Sequence, residues 1–278
     1  MKHLSYILPL LLLWSCEQTV YDNPGYALVF EDNFRSESID ESKWNFEIGT
    51  GCQYGVNLNG WGNEEEQYYT KENASIVGND FLQIESKSDT TFYSDNCGAN
   101  QFKYFTSSRL NSKNKFDFTY GKVEASIKFD NAVGIWHAFW MLPTFPQVSW
   151  PMSGEVDIFE FANNGIGDPL YSGTLHHSGP YIDENIPYGG NFNYFNDFHT
   201  YTLEWDLSSI KWYVDDELIQ NISRTSNALL DANWPFDKEF HLILNTAVGG
   251  TLGGTPNLNG ESHFMTVDYV RVYQKISN

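Results

Sequence analysis

The sequence predicts an all-β fold, a sandwich or barrel built from many short strands. Three observations carry that prediction. Several segments alternate apolar and polar residues with period two. No long segment places apolar residues at the 3, 4 and 7 spacing of an amphipathic helix. Aromatic residues make up 17% of the 278 residues, and strands favour them. The length suits a single all-β domain, with enough chain for a large core that needs no metal or staple to fold.

The strands follow from the pattern in order. Val123, Ala125, Ile127 and Phe129 alternate with Glu124, Ser126 and Lys128, which predicts a half-buried strand. Tyr201, Leu203 and Trp205 alternate with Thr200, Thr202 and Glu204 in the same way. Residues 210–214 and 217–219 flank Asp215-Asp216, which predicts a hairpin around an acidic turn. Residues 241–248 are apolar on both faces, so this strand should be central and covered on both sides. Residues 267–273, β-branched and aromatic, form the closing strand. No internal repeat or low-complexity tract interrupts the chain.

Charge narrows the partners. Lys and Arg total 16 against 36 Asp and Glu, a net charge of -20. Duplex nucleic acid needs a basic face, and polybasic attachment to an anionic bilayer needs the same. Both are excluded.

The first residues read as an address. Lys2 and His3 precede an apolar run over 4–14. About 18 apolar residues are needed to span a bilayer, so this run is an export signal rather than a membrane helix. The end, Leu13-Trp14-Ser15-Cys16, resembles the lipobox of bacterial lipoproteins. That resemblance implies cleavage before Cys16 and acylation of its thiol. Residues 1–15 are then the signal, and 16–25 are the acylated Cys and a polar tether. The protein would be lipid-anchored to the bacterial cell envelope. Loss of Lys2 takes the charge of -20 to -21. Cys52 and Cys97 remain. Export permits a disulfide, and the sequence is equally compatible with two buried thiols.

The informative segment is Trp150-Pro151-Met152-Ser153-Gly154-Glu155-Val156-Asp157-Ile158-Phe159-Glu160. On a strand Glu155 and Asp157 share a face, whereas Glu160, five residues from Glu155, points the other way. One bulge between Asp157 and Glu160 restores the phase. Three crowded carboxylates then raise the pKa of at least one member. One acid kept protonated and one kept ionised is what glycosidic cleavage needs. A solvated strand face carrying ordinary charges fits the same pattern.

Glu155-x-Asp157-x-x-Glu160, preceded by Trp150-Pro151 and Gly154, resembles the catalytic strand of glycoside hydrolase family 16. The likeness is to its bulged, laminarinase-like branch. Trp61-Gly62-Asn63-Glu64-Glu65-Glu66-Gln67-Tyr68-Tyr69-Thr70 resembles the family's early segment. Thr106-Ser107-Ser108-Arg109-Leu110, Tyr120-Gly121-Lys122-Val123-Glu124 and Gly134-Ile135-Trp136-His137-Ala138-Phe139-Trp140 extend it. Phe198-His199-Thr200-Tyr201 and Val267-Asp268-Tyr269-Val270-Arg271-Val272-Tyr273 complete it, so the likeness runs over about 28–273.

The resemblance implies a β-jelly roll of two curved antiparallel sheets, with the catalytic domain over 26–278 and a substrate cleft on the concave face. It implies retaining endo-hydrolysis of a β-1,3- or mixed-linkage β-1,3/1,4-glucan. Glu155 would be the nucleophile, Glu160 the general acid/base, and Asp157 a hydrogen-bond partner of Glu155. Trp136 and Trp150 would stack on sugar rings, with Trp140 left in the core. His176 would sit near the acids. Asn63 and Arg109 would hold sugar hydroxyls, Arg109 having a sheet-edge salt bridge as its alternative. No cofactor takes part in the chemistry, and a monomer is expected. Many relatives hold a structural calcium. Asp268 matches its side-chain ligand and Glu31 its backbone-carbonyl position, while Asp80 stands where relatives carry Gly.

Two further departures bear on substrate. His137 stands where relatives have Pro. The Val248-Gly249-Gly250 loop continues with Thr251-Leu252-Gly253-Gly254 and lacks the Trp that β-1,3-specialised relatives often place there. Missing one platform leaves room for mixed-linkage glucan. Sulfated or anhydro-galactans, cut by other members, call for basic groove residues that a chain of this charge has few of. A glycan-binding lipoprotein that has lost catalysis is the reading from another class, and the intact acid triplet speaks against it.

Overall fold

In the computed structural model, which describes residues 25–177, 183–187, 195–226 and 234–276, two sheets pack face to face. The larger has ten strands. Its main path runs Glu217–Ser223, Ser209–Val214, His199–Trp205, Gly121–Phe129, His263–Lys275, Phe81–Asp95, Gly98–Ser107 and Gln67–Tyr69. The smaller has eight strands, and its main path runs Asp183–Pro187, Leu170–His176, Glu155–Ala162, Ile135–Pro143, Phe240–Val248, Arg109–Asn111 and Asn45–Phe46, with Asp117–Phe118 pairing Phe240–Val248 off it. Among the described residues one short α-helical turn, Gly250–Gly253, interrupts the strand pattern.

The predicted strands are all present. Gly121–Phe129 turns Val123, Ala125, Ile127 and Phe129 into the core. The acidic hairpin closes on Asp215 and Asp216, with φ of 49° and 66°. Two consecutive left-handed residues match the twist of a two-residue hairpin, and Asp tolerates that region. All nine residues of Phe240–Val248 are buried, as expected of a strand covered on both faces. The closing strand is longer than the pattern implied, His263–Lys275. Its first residues are half-buried, and pairing with Phe81–Asp95 extends it.

The core fills the space between the sheets. Val156, Ile158, Phe159 and Phe161 from the acidic strand meet Tyr201, Leu203, Trp212 and Val270 from the larger sheet. Phe159 and Tyr201 have ring centroids 4.4 Å apart. Burial of this apolar area is the main source of stability. Cys52 and Cys97 are joined in a disulfide, Cα to Cα 5.8 Å, so pairing is the alternative realised. The signal, Cys16 and the tether up to 24 lie outside the described residues.

Candidate active site

The bulge falls where the spacing of the acids required it. Opposite Leu170–His176, the register moves from Asp157↔Thr174 to Glu160↔Ser172. Opposite Ile135–Pro143 it moves from Trp140↔Asp157 to Phe139↔Phe159. Two consecutive residues, Ile158 and Phe159, therefore enter the core, and Glu155, Asp157 and Glu160 share the face turned away from it.

Contacts from the larger sheet hold the bulge. Trp212 Nε1 donates to the Asp157 carbonyl at 2.9 Å. Gly173 permits this approach, because a Cβ there would lie 2.7 Å from both Trp212 Nε1 and the Asp157 oxygen. Gly154, at φ 87°, sets the strand's entry, and a Cβ would meet the Pro235 ring at 2.9 Å.

The acids are mostly enclosed. Asp157 and Glu160 are buried, and 17% of the Glu155 side chain remains exposed. Trp136 Nε1 donates to Glu160 Oε1 at 3.1 Å, and Thr174 Oγ1 donates to Glu160 Oε2 at 3.1 Å. His176 Nε2 lies 3.0 Å from Asp157 Oδ2 and 3.8 Å from Glu155 Oε1. Burial first, then the Asp157 charge, pushes Glu155 up to about 8. Burial first, then the Glu155 charge, pushes Glu160 up to about 7. The cluster therefore holds protons at neutral pH that isolated carboxyls would have lost. It can donate a proton to one bound atom and present an ionised oxygen to another.

The aromatic expectations divide. Trp150 is 57% exposed, its ring 5.6 Å from that of His176, open for stacking. Trp136 corrects the reading as an open platform. It is buried at 9% exposure against Ala162, Ala247, Leu170 and Leu252, and its indole N–H is directed at Glu160. Trp140 is not core. It lies half-buried on the acid-bearing face and donates to Asn245 Oδ1 at 2.7 Å.

Arg109 is a second correction. Its guanidinium is buried between the Trp61 and Trp140 rings, 4.5 and 4.7 Å from their centroids, and ion-paired with Glu47. The salt bridge lies within the sheet rather than at its edge, since Arg109–Asn111 runs between Phe240–Val248 and Asn45–Phe46, and it gives the desolvated charge a fixed counter-ion. Asn63 remains half-buried, and its Nδ2 donates to Glu65 Oε1 at 3.3 Å. Glu65, which the sequence reading passed over, also accepts from Gln67 Nε2 at 2.5 Å and Tyr69 Oη at 3.0 Å. Tyr69 Oη in turn accepts from Asn245 Nδ2 at 3.0 Å. This chain of hydrogen bonds links the Trp61–Asn63 loop to the strand beside Trp140. Thr174 was also missed, although period-two spacing puts it on the face of His176.

His137 turns inward instead of lining the site. It is fully buried, with Nδ1 2.8 Å from Thr246 Oγ1 and Nε2 3.2 Å from the Asp130 carbonyl.

The expected calcium residues do not form a ligand set. The Glu31 carbonyl accepts from Lys43 Nζ at 2.8 Å, and the Glu31 carboxylate faces Arg271 at 2.8 Å. Asp268 Oδ1 is buried without a hydrogen bond, and Arg35 lies 3.5 Å from it and 3.6 Å from Asp80. Calcium takes six to eight oxygens, and here two of the chain's own cations face the candidate donors. Neither residue belongs to a group of three metal-ligating side chains among the described residues.

Comparison with known proteins places this geometry. The family described as glycosyl hydrolases family 16 matches residues 60–271. A β-glucanase of Rhodothermus marinus is 35% identical over 266 residues, which cover 90% of this chain and 86% of that protein. Glucan endo-1,3-β-glucosidase A1 of Niallia circulans is 34% identical over 266 residues, and the chain spans 38% of that relative's length. The catalytic domain of an endo-1,3-β-glucanase (laminarinase) from Thermotoga petrophila RKU-1 superposes with a TM-score of 0.78 at 37% identity. That alignment covers 91% of this chain and 99% of the other.

Proposed function

The chain belongs to glycoside hydrolase family 16, and we propose that it cuts β-1,3- or mixed-linkage β-1,3/1,4-glucan internally, with retention of configuration. The observation that carries this reading is the bulged strand, which puts Glu155 beside His176 and Glu160 between two hydrogen-bond donors.

Glu160 gives its proton to the glycosidic oxygen as the C1–O bond breaks. Glu155 forms the new bond to C1, and the leaving chain departs as an alcohol. Water then attacks C1, loses its proton to Glu160, and releases Glu155. This route needs the two carboxyls about 5–5.5 Å apart. The first step also needs Glu155 ionised while Glu160 is protonated, the reverse of the order about 8 and about 7. The Asp157 charge is the second cause of the Glu155 rise. The His176 charge acts the other way and lowers Glu155, from 3.0 Å beside Asp157 Oδ2 and 3.8 Å from Glu155 Oε1. Asp157 and His176 are thus positioning residues for the nucleophile. Trp150 offers a face to a sugar ring, and Asn63 a hydrogen bond to a hydroxyl.

Reducing-end release from laminarin and barley mixed-linkage glucan, with agarose as control, tests the substrate. Short oligosaccharides from either glucan are expected, and activity on agarose alone would overturn the choice. Glu155→Gln and Glu160→Gln should each lose nearly all turnover while near-UV circular dichroism is unchanged. Acylated Cys16 would tether the enzyme to the cell envelope. Cys16→Ala should then release it to the soluble fraction, and a variant that stays with membranes would refute the anchor.

A further inference from the structure

The hairpin of Phe81–Asp95 and Gly98–Ser107 carries an outward aromatic surface apart from the acid cluster. Its inward side chains are engaged. Lys103 Nζ donates to the Glu65 carbonyl at 2.8 Å, and Thr50 Oγ1 donates to Asp95 Oδ2 at 2.9 Å. Tyr93 donates to Gln101 Oε1 at 3.0 Å, and Cys97 near the tip is bonded to Cys52. Parallel pairing with Gln67–Tyr69 completes the attachment. This side of the hairpin is fixed to the loop that carries Trp61 and Asn63.

The outward side is bare. Phe92 is 58% exposed, Phe102 54% and Tyr104 66%. Phe92 sits opposite Phe102 in register, with ring centroids 4.9 Å apart. Ser94 and Asn100 lie exposed beside them, the Asn100 N–H donating to Ser94 Oγ at 3.0 Å. These five outward positions offer three rings, hydroxyls and an amide without a formal charge, on a chain whose net charge is -20. Of the neighbouring charges, Asp95 and Lys103 are directed inward, while Asp89 lies exposed in the register shift opposite Tyr104.

An exposed aromatic patch on a soluble face marks a contact, and its chemistry selects the occupant. Ring faces with neutral donors and acceptors match the C–H faces and hydroxyls of an uncharged sugar chain. An anionic bilayer is repelled by the net charge, and the five platform residues themselves offer a basic protein no acid, Asp89 lying at their margin. We propose that Phe92, Phe102 and Tyr104, with Ser94 and Asn100, form an accessory platform that binds a neutral polysaccharide outside the catalytic groove. It holds the enzyme on bulk polymer while the groove turns over. The identity of that polymer as β-glucan rests on the reading above.

Native gels containing laminarin or barley glucan measure retention, and hydrolysis of insoluble β-glucan measures its consequence. Phe92→Thr/Phe102→Thr/Tyr104→Thr keeps strand-forming residues at exposed positions. Retention and insoluble-glucan hydrolysis should each fall about fivefold or more, from the loss of ring contacts. kcat/KM on a short soluble laminari-oligosaccharide, which reads the groove alone, should stay within about twofold, a change of about 0.4 kcal/mol where tenfold is about 1.4. The single variant Tyr104→Thr should show a smaller fall in retention at unchanged melting temperature. Unchanged retention and unchanged insoluble-glucan hydrolysis in the triple variant would overturn the platform and leave the activity standing. So would a wild-type dimer in sedimentation, or binding to neutral phosphatidylcholine vesicles, that the triple variant loses. Platform-dependent retention by a wild type that cleaves no glucan would sink the proposed activity instead and support the platform.

Discussion

Thr174→Val tests how Glu160 holds its proton. The substitution keeps the branched shape and removes the O–H that donates to Glu160 Oε2 at 3.1 Å. That hydrogen bond favours the ionised carboxylate, as does the one from Trp136. Without it the proton on Glu160 is held more tightly, so the pKa rises further above about 7. A hydrogen bond to a charged group contributes about 1.5–3 kcal/mol, and one pKa unit corresponds to about 1.4 kcal/mol. The lower end applies, since water entering the site can replace the hydroxyl, and the expected rise is about one unit. On the proposed route Glu160 must be protonated for the first bond cleavage. The basic limb of kcat/KM against pH therefore moves up by about one unit. Relative to its own maximum, the variant is more active at pH 8 than wild type. Initial rates on soluble barley glucan between pH 4 and 10 give the profile, with melting at each pH as the folding control. A basic limb that stays put or moves down refutes the assignment of Glu160 as the group titrating on that side.

Glu160 is raised from 4.5 to about 7 by burial, so its contribution is neutral below about 4.5 and destabilising as pH rises through 7. Glu160→Gln, which cannot ionise, should raise the melting temperature by several degrees at pH 8 and leave it unchanged at pH 4. That corresponds to about 3 kcal/mol at about 1.4 kcal/mol per pKa unit, and equal shifts at both pH values would contradict it. The disulfide bridges residues 45 apart in sequence, and chain-entropy arguments put its contribution at about 4 kcal/mol for such a loop. Cys52→Ser/Cys97→Ser should lower the denaturant midpoint accordingly, and a midpoint indifferent to both the substitution and reductant would deny the bond. A chelator should leave melting unchanged because Lys43 and Arg35 face the donors of Glu31 and Asp268. Calcium that raises the melting temperature of chelator-treated protein would reverse that reading.

The sequence reading succeeded where geometry is periodic and local, and failed where an interaction crosses between segments. The bulge was legible because three acids at spacings of two and three admit a shared face only with one extra residue, and Ile158 and Phe159 pay that residue into the core. The hairpin was legible because two apolar runs flanked an acidic turn. Arg109 was not, because its neighbours Glu47, Trp61 and Trp140 come from three distant segments. Trp136 and Trp140 were exchanged for a related reason. Four residues apart on one strand, they share a face, and pattern alone does not tell which ring lies under neighbouring side chains. Leu252, from the loop that lacks a Trp, packs against Trp136. That loop therefore covers the indole that donates to Glu160. Leu252→Trp should alter the choice between laminarin and barley glucan and move the basic limb of the pH profile together. A change in one without the other would separate the loop from the Trp136–Glu160 contact.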